Sequence, residues 1–560
     1  MQSTTPLLDP SLPGPLTVQK VVYAAPNLDY QTNPDLGQYL LFQNPTPGYS
    51  TRRIDLSGIA DLGFGVNWPF DSMQVPINGI ICIPQGREGP YPLVLFAHGN
   101  HSPLENSTPG YLYLCELLAS YGIIAATIDA NFLNGGNFGE NDGRAILQLE
   151  HVRQFFQWNF QRRHPLRRKI NFSRVMIVGH SRGGEAVGHA SFFKPLSSIQ
   201  LDPMSPPVAL DGSRGLGPYN FFDLQAAVAI APTDGQYTPI TGPTKLRDNY
   251  LILHGSRDGD VFTFEGYKTY DRSHTVDLGN PTQAAQGFKS LLWIHGANHN
   301  YFNSVWQQES QNTITRGQQE QIAKVYINAI AQAVLLRKRE YLDLLKNHLV
   351  GKNWLPAGVN LVSQYQDEKR IFIQHFEEAS ANIVVSNPVV GTVDIANIDA
   401  QKLSFSGVDP TAQLFQETQG LRLKWQASGK RYRVQFDPTT LNINAFKLLA
   451  VRVGQSAEPE NPSPKNQDFT FKISDNQTTV TFLASSVNQL IYPDQVPAFG
   501  GALARTVMQT FRIPFKFLQD KGLNVRQLRA IELVFDATPS GVLYLDELQL
   551  AKSSADESEE

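Results

Sequence analysis

The segment that most restricts the fold of this chain is Gly179-His180-Ser181-Arg182-Gly183-Gly184. It follows the apolar run Val175-Met176-Ile177-Val178 and leads into Glu185-Ala186-Val187-Gly188-His189-Ala190, a small-residue stretch that can begin a helix. A strand that turns abruptly into a helix forces the central residue into strained backbone, and glycines on both sides keep side chains from clashing with either element. Ser181 at that point is placed to be a nucleophile. Taken alone the pattern is weak, because three glycine positions at an ordinary usage of about 7% each recur by chance about once in a few thousand windows. Context strengthens it: a strand precedes, a helix follows, and a candidate acid and then a candidate base lie downstream.

The candidate acid lies in Asn249-Tyr250-Leu251-Ile252-Leu253-His254-Gly255-Ser256-Arg257-Asp258-Gly259-Asp260-Val261, a buried-strand pattern that stops at a glycine and releases into a polar loop. Asp258 is the choice by position. Asp260, two residues on, and Asp234, which closes the preceding strand in Ala231-Pro232-Thr233-Asp234-Gly235, compete for the role. The candidate base follows the run Ser290-Leu291-Leu292-Trp293-Ile294 and is His299, in the loop where an imidazole can reach from the acid to the serine. His295 touches the strand end and reads as structural. Leu93-Val94-Leu95-Phe96-Ala97-His98-Gly99-Asn100-His101 is a strand running into a His-Gly turn, whose backbone can face the nucleophile. The oxyanion hole would then be the amides of Asn100 and Arg182. His98 and His101 read as turn packing, and Arg182 and Glu185 have the spacing of a helix-face pair.

Together these residues resemble the α/β-hydrolase superfamily over roughly residues 15–350. The elbow at 179–184 and the Gly296-x-Asn298-His299-x-x-Phe302 segment are similar to chlorophyllases, and Tyr121-Gly122-Ile123-Ile124-Ala125-Ala126-Thr127-Ile128-Asp129-Ala130-Asn131 is similar to the cutinase-like polyesterases. Dienelactone-hydrolase-like esterases share the plan. The resemblance implies that Ser181, Asp258 and His299 form a triad with Asn100 and Arg182 as oxyanion donors, and that the reaction is ester hydrolysis without a metal or organic cofactor. This chain departs from all three groups in its long first segment and its large C-terminal extension.

A net charge of −4 with no basic block argues against nucleic acid as a partner. Charged residues make up 18% of the chain, below the average of about 25%, a balance suited to strands and loops rather than long solvated helices. Cys82 and Cys115 do not have metal-site or disulfide-framework spacing and are expected as buried free thiols, with a single bridge as the alternative. Residues 1–15 lack a basic start and an apolar stretch, and no window approaches a membrane span. A cytoplasmic enzyme is expected, with an exported form whose leader has been removed as the alternative.

Residues 16–90 read as edge strands and turns. From residue 91 short apolar runs alternate with helical stretches: strands at 91–97, 123–129, 173–179, 225–231, 250–254 and 290–294, and helices near 106–121, 143–163 and 183–194. This alternation predicts an α/β fold, a mostly parallel sheet with helices on both faces, over a catalytic domain at 16–350. A terminal helix is expected at 318–345 and a linker at 351–368. Alternating segments such as Leu421-Arg422-Leu423-Lys424-Trp425, together with a closing run at 540–548 that resembles galactose-binding-like modules, predict an all-β jelly-roll sandwich at 369–551. An acidic tail is expected at 552–560.

The expected function is a serine esterase acting through an acyl-enzyme on a small-molecule or polymeric ester, with activity that levels off above neutral pH. A lipophilic ester such as chlorophyll, or a polyester, fits the resemblance. The sandwich would contact a glycan or a protein, or simply stabilise the chain. Three alternatives share the same residues: a serine peptidase, an acyltransferase, and a catalytically silent scaffold whose sandwich does the binding.

Overall fold

The computed structural model describes residues 7–552 except 137–138, 202, 236–245, 247, 274–275, 278–279, 285–286, 368–369, 380–382, 387–390, 396, 407–414, 438, 440–441 and 499–500. The acidic tail from 553 lies outside the described residues. The chain forms two compact units: Met1–Thr269, Ala297–Leu345 and Gly351–Gly358 in the first, and Tyr270–Gly296, Lys346–Val350 and Val359–Glu560 in the second.

The first unit contains β1 (Val18–Tyr23), β2 (Gly79–Pro84), β3 (Tyr91–Ala97), β4 (Ile124–Ile128), β5 (Ile170–His180), β6 (Leu224–Ile230) and β7 (Asn249–Gly255). They are ordered β1-β2-β4-β3-β5-β6-β7. β3, β4, β5, β6 and β7 are mutually parallel, and β1 and β2 join antiparallel at one edge, as the leading strands are expected to do. Every residue of β3 is buried, which is why its sequence is a continuous apolar run rather than an alternation. Four helices accompany the sheet: α1 (Leu112–Ser120), α2 (Glu140–Phe160), α3 (Arg182–Phe193) and α4 (Arg316–Val334), with α2 packed on α3 and α1 on α4. Cys82 on β2 and Cys115 on α1 are buried free thiols.

α4 starts at a capping box, with the Thr315 hydroxyl accepting from the Gln318 N–H and the Gln318 side chain accepting from the Thr315 N–H. It stops short of the expected end at 345. Arg337 takes a left-handed φ of 60° and the Lys338 N–H turns back to the Gln332 carbonyl, ending the helix without a glycine to signal it.

In the second unit β8 (Phe288–Ile294) pairs antiparallel with β9 (Leu361–Asp367). The 351–368 stretch thus contains a strand where a linker was expected. Its polar residues Ser363, Gln364 and Gln366 are buried, which hides the alternation on which strand recognition depends. Two antiparallel sheets follow. One contains β10 (Arg370–Gln374), β12 (Asp399–Ser406), β13 (Phe415–Trp425), β15 (Leu448–Gln455), β18 (Gln509–Pro514) and β20 (Gly541–Ala551); the other contains β11 (Gly391–Asp394), β14 (Lys430–Phe436), β16 (Thr470–Ser474), β17 (Thr479–Leu483) and β19 (Ala530–Phe535). Trp425, Val451, Phe511 and Leu545 from the first sheet share one core with Tyr432, Phe471, Ile531 and Phe535 from the second, which makes this a sandwich.

Candidate active site

β5 lies between β3 and β6 and ends at His180. Ser181 follows with φ 58° and ψ −125°, a backbone region that costs a non-glycine residue of order 1–3 kcal/mol and persists only where packing imposes it. The packing is visible in the glycines. A Cβ on Gly179 would fall on the Gly183 carbonyl oxygen, one on Gly183 would lie 2.5 Å from the Ala97 carbonyl oxygen, and one on Gly184 would lie 2.9 Å from Pro232 Cβ. The turn is pinned by Ser181 N–H donating to the Ile230 carbonyl at 2.9 Å, while the Ser181 carbonyl accepts from Gly184 at 2.8 Å and Glu185 at 3.2 Å.

Asp258 lies three residues beyond β7. Its Oδ1 accepts the N–H groups of Asp260 at 3.0 Å and Val261 at 2.6 Å, and its Oδ2 accepts from His299 Nδ1 at 2.8 Å. His254 Nε2 is also 3.2 Å from that oxygen. Burial opposes ionisation of Asp258, but His299 and His254 outweigh it and hold the carboxyl well below the usual range. Burial likewise works against a charged His299. The Asp258 carboxylate overcomes it, helped by Asp260 and Glu309, and the ring is pushed up to about 9. Of the competing acids, Asp260 is mostly exposed with Oδ2 3.5 Å from His299 Nε2, and Asp234 donates its backbone N–H to Glu265 Oε2 at 2.8 Å.

The histidine loop meets the serine through His180, whose ring centroid is 4.8 Å from that of His299. Neither Ser181 Oγ nor His299 Nε2 has a hydrogen-bond partner among the described residues, so the serine–histidine hydrogen bond is not made in this state. Such bonds are often long before substrate binds. Trp306 stacks on both His299 and His101, with centroids 6.4 and 4.8 Å apart, and its Nε1 donates to Ser107 Oγ at 2.9 Å.

Gly99 is pressed against Ser181: a Cβ there would overlap Ser181 Cβ and lie 2.9 Å from Ser181 Oγ. Asn100 is the next residue along this loop, and Arg182, as the first residue of α3, has an amide with no intrahelical acceptor. His98 is buried and, as expected, packs the turn, with burial pushing its pKa down to about 3. The expected Arg182–Glu185 pair does not form. Arg182 instead donates to Glu140 Oε2, and Glu185 accepts from Asn141 Nδ2 at 2.8 Å and Thr233 Oγ1 at 2.7 Å, because the buried start of α2 lies against that helix face.

Several members of the site carried no sequence signal. Glu309 sits in a polar loop, yet its carboxylate accepts the N–H groups of His299 at 2.5 Å and Asn300 at 3.1 Å. His254 reads as a strand residue, Arg144 falls within the helix expected at 143–163 with no assigned role, and Glu140 lies just before it. A cleft of about 550 Å³ opens between Gln38, Leu41, Leu104, Glu105 and Val305, and Glu105 is 3.2 Å from His101. Among the described residues no group of three or more His, Cys, Asp or Glu is arranged to hold a metal, and no helix is long and apolar enough to cross a membrane.

Residues 62–217 match the chlorophyllase family model. No curated protein matches the chain. The chlorophyllase match contains Asn100, Ser181 and Arg182 and ends before Asp258 and His299. Chlorophyllases are hydrolases of the α/β type, and this stretch of the chain is a chlorophyllase-like α/β-hydrolase region.

Proposed function

We propose that this protein is a serine-dependent carboxylic ester hydrolase that works through an acyl-enzyme. The observation that carries the reading is the strained Ser181 turn packed against Gly99, with His299, oriented by Asp258, lying against the ring of His180, the residue before Ser181. His299 takes the Ser181 proton as the hydroxyl attacks the ester carbonyl, and Asp258 holds the ring with Nδ1 protonated and stabilises the imidazolium. The amides of Asn100 and Arg182 receive the oxyanion. His299 returns its proton to the departing alcohol, and water activated by the same ring then releases the acid.

Lipophilic esters, including phytyl esters of the chlorophyll kind and polyesters, are the proposed substrate class, supported by the chlorophyllase match. The sandwich would serve a glycan or protein contact. A fluorophosphonate probe should label the wild-type protein and not Ser181→Ala, and an ester panel graded by acyl and alcohol size should show turnover. Absence of labelling at Ser181, or cleavage of amides but not esters, would refute the esterase reading.

A further inference from the structure

The elbow and the loop that faces it are joined by a buried charge that the triad does not use. Arg144, fully buried on α2, donates from Nε to the His98 carbonyl at 3.1 Å and from Nη2 to the Gly99 carbonyl at 3.1 Å, with Asn134 Oδ1 a further acceptor at 2.5 Å. The Gly99 carbonyl also accepts from His98 Nδ1 at 2.8 Å. His98 Nε2 accepts the Ala130 N–H at 3.1 Å, which fixes the ring proton on Nδ1.

In a trans peptide the C=O and N–H point in opposite directions. Two donors on the Gly99 carbonyl therefore set the direction of the Asn100 N–H, and a cationic donor on that carbonyl also polarises the peptide and strengthens its N–H. The same guanidinium reaches the second half of the hole through Glu140. One carboxylate oxygen lies 2.6 Å from Arg144 Nη1, and the other accepts from Arg182 Nη1.

We propose that Arg144 and Glu140 are positioning residues of the oxyanion hole: the guanidinium orients and polarises the Gly99–Asn100 peptide, and the carboxylate holds it in register with Arg182. This rests on the esterase reading above. A role in folding alone would be served by any set of acceptors, whereas these converge on the peptide that carries one donor and on the residue that carries the other.

The test compares an ester with its thionoester, whose sulfur accepts hydrogen bonds poorly and so gains little from the hole. Arg144→Lys keeps a cation but cannot span both carbonyls. Its kcat on the oxoester is expected to fall about 10- to 100-fold with KM within about threefold, while the thionoester rate falls far less. Glu140→Gln, nearly isosteric, should show a smaller fall of the same kind, and it decides the matter if Arg144→Lys does not fold. Parallel losses on both substrates, or no loss on either, would overturn the proposal. Fluorophosphonate labelling separates the two failures: a wild-type protein unlabelled at Ser181 removes the esterase reading and the positioning role with it, whereas a labelled one with an unchanged substrate ratio in the variants removes the positioning role alone.

Discussion

His299 has carboxylates on both sides of its ring, Asp258 at Nδ1 and Asp260 at 3.5 Å from Nε2, and the balance between them and burial sets when it can act. Only the neutral ring accepts a proton, so with the pKa pushed up to about 9 the free enzyme's kcat/KM should rise through a midpoint near pH 9, rather than level off just above neutrality. Asp260→Asn removes a charge that favours the imidazolium. A pH–rate profile of that variant should therefore have its midpoint displaced toward neutrality, with faster turnover at pH 7; an unmoved midpoint would show that Asp260 does not act on the base. Stability runs the other way. A raised folded-state pKa means that the pair's contribution is complete below about 6.5 and is lost as pH rises through about 9, which thermal melts across that range would detect. Asp258→Asn should leave the fold intact and lower kcat by about 10³- to 10⁴-fold, because the ring loses both its orienting acceptor and the charge that stabilises its cation.

At the scale of elements, the elbow works because β5, α3 and the end of β3 approach more closely than any side chain allows. Gly183→Ala would drive a methyl group to within 2.5 Å of the Ala97 carbonyl and 2.7 Å of the His98 carbonyl. It is expected to cost about 1–3 kcal/mol in denaturant unfolding and to lower kcat more than it raises KM, because the same shift displaces the loop proposed to hold the oxyanion. The glycine spacing made this element legible because Gly179 and Gly183 crowd each other within the turn itself, while the contacts of Gly183 with Ala97 and of Gly184 with Pro232 come from distant segments. α2 shows the opposite. Glu140, Asp142, Arg144, Gln148 and Glu150 are all buried, so a helix whose sequence resembles a solvated surface is one of the most enclosed in its unit. Beyond the Glu140–Arg144 pair within the helix, its charges meet partners far away in the chain, among them His189 Nδ1 at 2.5 Å from Asp142, which no periodicity in the helix itself reports.

In the molecule as a whole, the second unit is organised around another buried cation. Arg452 on β15 lies 2.8 Å from Asp271, 3.1 Å from Asp546 and 3.4 Å from Glu547, and also donates to Gln364 at 2.9 Å. Asp271 is 181 positions away from it, so this cluster ties a segment expected to belong wholly to the catalytic domain to the sandwich. Arg452→Met should destabilise the unit by about 3–5 kcal/mol in denaturant titration, because three buried carboxylates lose their common counter-charge. A chain ended at residue 368 lacks the same partner for Asp271 and should melt at a lower temperature than the full-length protein. What the sequence determined by itself was whatever depends on neighbours along the chain: the buried strands, the glycine-framed serine turn, the alternating strands of the sandwich. The position of Asp258 after its strand favoured it as the partner of His299, but tertiary structure alone separated it from Asp260 and Asp234, brought Glu309 and Arg144 to the site, and made 361–367 a strand. Those outcomes depend on charges and hydrogen-bonding groups drawn together from distant positions, and when a polar residue is buried by such a partner it leaves the same trace in sequence as one in water.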